Sequence, residues 1–209
     1  VSALRATTLS LSVPTRISRV CAKPFSRHVV RLCGMEKDIA TSLKNLRTDY
    51  IDLYQIHNPN AKDLEQVMAP GGALEALMEA RAAGKIGHIG VTAHSTEVFE
   101  KALEQGFAPD LISSDITRVS AFANGLFALP TVVAKCVSLG MNEEDALRAV
   151  TLTPAKVLGL SVGKIEEGAV ADISVFEIKE NFGELYDCKK HKISAKYFPV
   201  PMLTVYGGE

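Results

Sequence analysis

Three places in the chain put chemically useful side chains at the end of apolar, β-branched runs. His57 follows YIDLYQI (residues 50–56), and IGHIGVT (86–92) ends on Thr92 and is followed by Ala93 and His94. An imidazole just past a buried strand can donate a hydrogen bond to a carbonyl oxygen and polarise it for hydride addition. Spacing alone leaves a second reading open, in which each is a plain polar residue at a loop mouth. The third place is Asp115, the carboxylate that ends PDLISSD (109–115). His88 falls inside a strand-like run, where a structural role is expected. His191 sits in the Lys-rich CKKHK, expected to be a solvated turn, and His28 lies in the basic N-terminal stretch. Cys21, Cys33, Cys136 and Cys188 are scattered, with no CxxC pair. They read as reduced thiols of an intracellular protein. No histidine stands at ligand spacing from them, so they make no zinc site.

The elements that must hold these residues alternate between helix and strand from Met35 onward. Ile39, Leu43 and Leu46 share one helical face. The run at 50–56 stops at Asn58-Pro59, a strand followed by a loop. Gly71 and Gly72 open a second helix that should turn Leu74, Leu77 and Met78 inward and end at Gly84. Residues 86–92 form the next strand, and Ser95 should cap a helix running to Gly106. Strands alternating with helices at this spacing argue for parallel βα units, with chemistry at the strands' C-terminal ends. Residues 109–115 read as a short buried strand. Three helical stretches follow: 130–139, one from Asn142 with Glu143, Glu144 and Asp145 in its first turn, and one capped by Thr153 with Pro154 at its first position. The period then switches to two, predicting strands at 171–178, 193–198 and 202–208 and a small separate β layer.

Composition sets the outer limits. With 47% apolar and 22% charged residues, the 209-residue chain can bury one sizeable core. No apolar run approaches the ~18 residues of a membrane span, so no membrane role is expected. A formal net charge of −1 gives no electrostatic case for nucleic acid. That near-neutral sum hides an asymmetry. Residues 1–34 carry six Lys or Arg and no acid, leaving 17 basic against 24 acidic side chains in the rest. The stretch is expected to be unstructured or foreign to the fold, with an organelle transit peptide as the alternative. The corresponding locations are cytoplasmic or organelle-imported.

Two resemblances sharpen these expectations. SLKNLRTDYIDLYQIHNP followed by GALEALMEARAAGKIGHIGVTAHS resembles the middle of an aldo-keto reductase, a (β/α)8 barrel that reduces carbonyls with NADPH through an Asp, Tyr, Lys and His set. The resemblance implies that His57 is the catalytic His and that Thr92 and His94 contact the nicotinamide carboxamide. The family's Asp, Tyr and Lys have no counterpart here, and Tyr50 and Tyr54 do not replace the Tyr. GFAPDLISSD, ALPTVVAKCVSLGM, TLTPAKVLGL and GKIEEGAVADISVFE resemble the C-terminal end of a metal-dependent amidohydrolase of the dihydroorotase-like and deacetylase branch. This second resemblance implies that Asp115 binds zinc or another divalent metal and acts as general base. The family's HxH pair, bridging lysine and two further histidines are missing, and Ile116-Thr117 stand where close relatives tend to carry His.

The reading is therefore an α/β chain: incomplete (β/α) barrel segments followed by helices and a small C-terminal β-sandwich layer. Its parts are a basic segment at 1–34, a reductase-like βα segment at 35–106 and an amidohydrolase-like part at 107–209. Three barrel strands are expected, at 50–56, 86–92 and 110–115, where a closed barrel needs eight. Three functions follow: an amidohydrolase fragment using Asp115, an NADPH-dependent carbonyl reductase fragment using His57, each on a small-molecule substrate, or a non-catalytic fusion product. The first is the label by descent, with both catalytic sets incomplete. Open sheet edges would offer self-association.

Overall fold

The computed structural model describes residues 20–24, 32–114 and 128–208. The described chain folds as two compact units, one ending at Pro109 and the other starting at Asp110.

The first unit is a three-stranded parallel sheet in the order β1-β2-β3. Its elements are β1 (Val20–Pro24), α1 (Leu32–Leu46), β2 (Ile51–His57), α2 (Ala61–Met68), α3 (Ala73–Ala82), β3 (Ile86–Thr92) and α4 (Thr96–Glu104). Alternation along the strands sends Tyr54, Ile56, Ile89 and Val91 into one core with Ile39, Leu64, Leu77 and Val98 from the helices. Full burial of one such side chain contributes about 1.5–3 kcal/mol. Tyr54 also makes a polar contact there: its hydroxyl donates to Asp38 Oδ2 at 2.5 Å.

Several details depart from the sequence reading. Val20–Pro24 forms a strand within the stretch expected to lack structure, pairing in parallel with β2 from Val20↔Leu53 to Pro24↔His57. VCAKP lacks a clean alternation and ends on Pro, so pattern alone hides it; pairing with β2 supplies what the pattern does not. An unanticipated helix, α2, follows Asn58-Pro59; Asn60 Oδ1 accepts the Asp63 N–H at 2.9 Å and starts it. On α3 the buried stripe is Ala73, Ala76, Leu77 and Ala80, which leaves Met78 51% exposed rather than inward. Gly72 is obligatory before that helix, because a Cβ would lie 2.3 Å from the Val67 carbonyl oxygen.

The second unit contains α5 (Leu129–Ser138), α6 (Glu143–Val150), α7 (Leu152–Leu158), β4 (Ile173–Tyr186) and β5 (Lys192–Val205). Residues 111–114 are not a strand. The Ile112 N–H donates to the Ala149 carbonyl at the end of α6 instead of to a neighbouring strand. Among the described residues the third strand beside β2 and β3 is thus β1, and the strand expected at 110–115 does not form over 110–114. Asn142 caps α6 as expected, accepting from the Glu144 and Asp145 N–H groups. For α7 the cap position is Thr151 rather than Thr153. The Thr151 hydroxyl bonds back to the Leu147 carbonyl. Pro154 therefore sits in the first turn, where its missing N–H still costs nothing.

The strands expected at 193–198 and 202–208 are one 14-residue strand, β5, antiparallel to β4. Pro199 and Pro201 both lie within it. A two-stranded pair has outer edges where proline is tolerated. Asp187 fixes the turn, its Oδ1 accepting the Lys189 and His191 N–H groups at 2.7 and 2.9 Å. Among the described residues, both sheets are open and no helix is long and apolar enough to cross a membrane.

Candidate strand-end site

Pro24, His57 and Thr92 stand level at the C-terminal ends of β1, β2 and β3. Parallel register puts paired residues on the same face, so Leu53, Gln55 and His57 share theirs with His88, Gly90 and Thr92. A Cβ on Gly90 would meet Gln55 Cγ at 3.2 Å and Leu53 Cδ1 at 3.4 Å, as that placement requires. The opposite face belongs to the helix-packed core.

At this edge the Thr92 hydroxyl and His57 Nδ1 are 2.8 Å apart. The Asn58 N–H points back across the strand ends, donating to the Thr92 carbonyl at 2.8 Å and to Thr92 Oγ1 at 3.2 Å. It can do so because Asn58 adopts a left-handed backbone with φ of 53°, which asparagine tolerates better than most residues. Asn58 is the member of this group that sequence reasoning missed. Its signal was there, in an Asn-Pro pair directly after a strand. His57 and Thr92 are half-buried, whereas His94 is exposed. Ser95 occupies the cap position of α4 without capping it, and its buried hydroxyl finds no partner among the described residues. Asp115 lies outside the described residues, as does His28.

Comparison with known proteins now decides the family. Residues 21–128 match the model of the Aldo/keto reductase family. The chain belongs to the aldo/keto reductase family. The reductase match reaches back through β1 and forward beyond Gly106. Other relatives differ in kind. A deacetylase of Brucella anthropi is 35% identical over 94 residues, covering 44% of this chain and 23% of its own length. A deacetylase of Agrobacterium fabrum is 31% identical over 125 residues, covering 59% of this chain and 30% of that protein. The chain therefore spans less than a third of these curated relatives. A crystal structure of an adenine deaminase superposes over 83% of this chain and 46% of its own, with a TM-score of 0.64 and 21% identity, a likeness of fold. An N-terminal reductase-like segment is thus followed by an amidohydrolase- and deacetylase-like one, as in a composite protein.

The two parents' cofactors fit these residues unequally. Thr92 and His94 have the hydrogen-bonding groups to hold a nicotinamide carboxamide. No three His, Cys, Asp or Glu side chains converge to hold a metal among the described residues. Tyr54 does not serve as a phenol beside His57, because it is 1% exposed with its hydroxyl on Asp38.

A different titratable cluster lies in the second unit. Lys135 on α5 is buried; desolvation lowers its pKa, opposed by the charges of Cys188 and Asp187. Asp187 is itself buried, and its Oδ2 stands 3.0 Å from His191 Nδ1. Burial pushes the neighbouring Cys136 thiol up to about 11, with Lys135 pulling the other way. Tyr197 is raised to about 12 by burial and by Glu143.

Proposed function

We propose that this chain is a composite of an NADPH-dependent aldo-keto reductase segment and the C-terminal part of a metal-dependent amidohydrolase, and that alone it turns over neither carbonyls nor amides. The reading is carried by the surroundings of His57, whose partner is Thr92 rather than a phenol. Catalytic groups of such a set act as a unit, so one member contributes little without the rest. Asp115 is in the same position on the amidohydrolase side, a lone base and metal ligand by resemblance. Zinc or another divalent metal needs several ligands from separate elements. The chain is read as cytoplasmic, with organelle import if residues 1–34 direct it. Self-association through open sheet edges belongs to the same reading.

The test is a paired assay on the purified full chain. NADPH consumption is followed with a panel of aldehydes and ketones, and hydrolysis of N-acyl and cyclic amides with added zinc or manganese. Both should stay at the enzyme-free rate. NADPH consumption that disappears in His57→Ala would overturn the proposal, as would metal-dependent hydrolysis lost in Asp115→Asn.

A second reading, carbonyl reduction by the reductase segment, is favoured by one observation. An imidazole stands beside a hydroxyl at the C-terminal ends of the parallel strands, which supports reading that edge as the one a carbonyl and a nicotinamide would approach. Protection of Thr92 and His94 amides from hydrogen exchange by NADPH is its signature. An unchanged exchange pattern at saturating NADPH rejects it.

A further inference from the structure

Proline has no N–H to give to a ladder, so inside a paired strand its nitrogen points away from the partner. β5 has two such residues, Pro199 opposite Ile178 and Pro201 opposite Phe176. In an antiparallel pair, directly opposed residues alternate between exchanging both backbone hydrogen bonds and exchanging none. Both proline pairs are of the second kind. The N–H and C=O groups of Phe176, Ile178 and, by the same alternation, Glu180 therefore point out from the free side of β4. The outer edge of β5 lacks the donors of its two prolines, whereas that of β4 is complete. Among the described residues no strand lies beside it. The register of β4 on β5 shifts between Val175 and Phe176 and again between Glu180 and Gly183, so the regular part of this edge is 176–180. Its midpoint is Ile178, 44% exposed. The flanking Glu177 and Lys179 are each about half exposed and pair along the strand at 3.8 Å.

We propose that this edge of β4 pairs with the same edge of a second copy of the chain, antiparallel about a two-fold axis through Ile178. Ile178 then lies opposite its own copy and Phe176 opposite the partner's Glu180, each pair exchanging two hydrogen bonds. Glu177 falls opposite the partner's Lys179, and the symmetry makes that contact twice. Charge selects this register, because like charges directly opposite are destabilising. An axis through Glu177, Lys179 or Glu180 would set that side chain against its own copy, and one through Phe176 would set Glu180 against the partner's Asp172. The register shifts on either side end the ladder where the two-fold pairing ends, so the edge takes one partner and closes. This gives a place to the self-association in the composite reading and rests on that reading only there.

The experiment is sedimentation velocity of the full chain over a range of concentrations, with hydrogen exchange on the same samples. A monomer–dimer equilibrium is expected, with protection of the amides at 176–180 rising with concentration. Ile178→Pro removes the central donor without entering the β4–β5 ladder, and should abolish the dimer. Lys179→Glu should weaken it about tenfold, and adding Glu177→Lys to that variant should restore it. Unchanged protection of β5 in the monomeric variants shows that the hairpin is intact. A chain monomeric at every concentration, a dimer indifferent to Ile178→Pro, or a double variant no tighter than Lys179→Glu would overturn the proposal. So would protection at 176–180 that ignores concentration, which would assign the edge to another segment of the same chain. A monomer leaves the proposed inactivity standing, and turnover by the chain leaves the interface standing.

Discussion

The two units bury different things. The first buries aliphatic side chains on one face of a parallel sheet, with a small polar group, Tyr54 with Asp38 and Ser42, inside. The second buries a lysine and a carboxylate, Lys135 and Asp187, while Val175, Phe182, Met202 and Leu203 of its long hairpin stay exposed. Apolar burial is non-directional and tolerates imperfect partners, whereas a buried charge needs its partner in place. The first unit should therefore degrade gradually under substitution, and the second should fail sharply at a few positions.

The largest expected effect tests that contrast. Asp187→Ala removes a buried carboxylate whose charge acts on Lys135 and the oxygen that accepts both N–H groups of the β4–β5 turn. Hydrogen bonds to charged groups contribute about 1.5–3 kcal/mol each, and two are lost here. Hydrogen exchange read segment by segment should show β4 and β5 losing protection, with β2 and β3 unaffected. A uniform loss across both units would mean that the two do not unfold separately.

Alkaline pH should separate the units next. Cys136 and Tyr197 have folded pKa values raised to about 11 and about 12, above ordinary values of 9.0 and 10.0. Their neutral forms thus favour the fold, fully below the ordinary values. That stability is lost as pH rises from 9 to 11 for the thiol and from 10 to 12 for the phenol. Lys135 runs oppositely: its pKa is lowered, so stability rises as it loses its proton below 10.5. The loss should win above that value, and its thiol part is worth about 2–3 kcal/mol. A pH titration of hydrogen exchange should show β5 weakening between pH 9 and 12. Cys136→Ala should flatten the portion between 9 and 11, and an unflattened curve would assign it elsewhere.

Legibility in the sequence follows the same division. β2 and β3 were readable because alternation and β-branching agree with burial on one face, and His57 and Thr92 were readable as the residues that end them. β1 was not, since VCAKP acquires its identity only by pairing with Leu53 to His57. The helix α2 hid behind Asn58-Pro59, whose turn chemistry described the loop but not the Asn60 cap after it. Residues 109–115 carry strand composition, yet Ile112 bonds to a helix end. Composition sets propensity, and only a neighbour makes a ladder. The Thr92–Asn58–His57 geometry depends on a left-handed backbone and a cross-strand register. Neither is written in any one segment.

A smaller effect probes the polar bond within the first unit. Tyr54→Phe keeps the ring in its pocket and removes only the hydroxyl donated to Asp38 Oδ2. Hydrogen bonds to charged groups contribute about 1.5–3 kcal/mol. The variant should therefore lower the denaturant midpoint of β1–β3 with an unchanged slope. If it instead matches the effect of Asp187→Ala, the first core depends on polar pairing as much as the second, and the contrast between the units disappears.

The smallest effect belongs to a helix end in the second unit. Asn142 accepts the Glu144 and Asp145 N–H groups at 2.9 and 3.3 Å, so Asn142→Ala should cost about 1 kcal/mol. Asn142→Gly should cost only a few tenths, because much of a cap's value is backbone freedom at that position. The acidic first turn of α6, Glu143 to Asp145, remains in both variants, so helix-dipole terms cancel between them. A difference between alanine and glycine thus isolates the backbone contribution. If the two variants destabilise equally, the side-chain hydrogen bonds alone hold this end of α6, and even the surface of the second unit relies on specific polar partners.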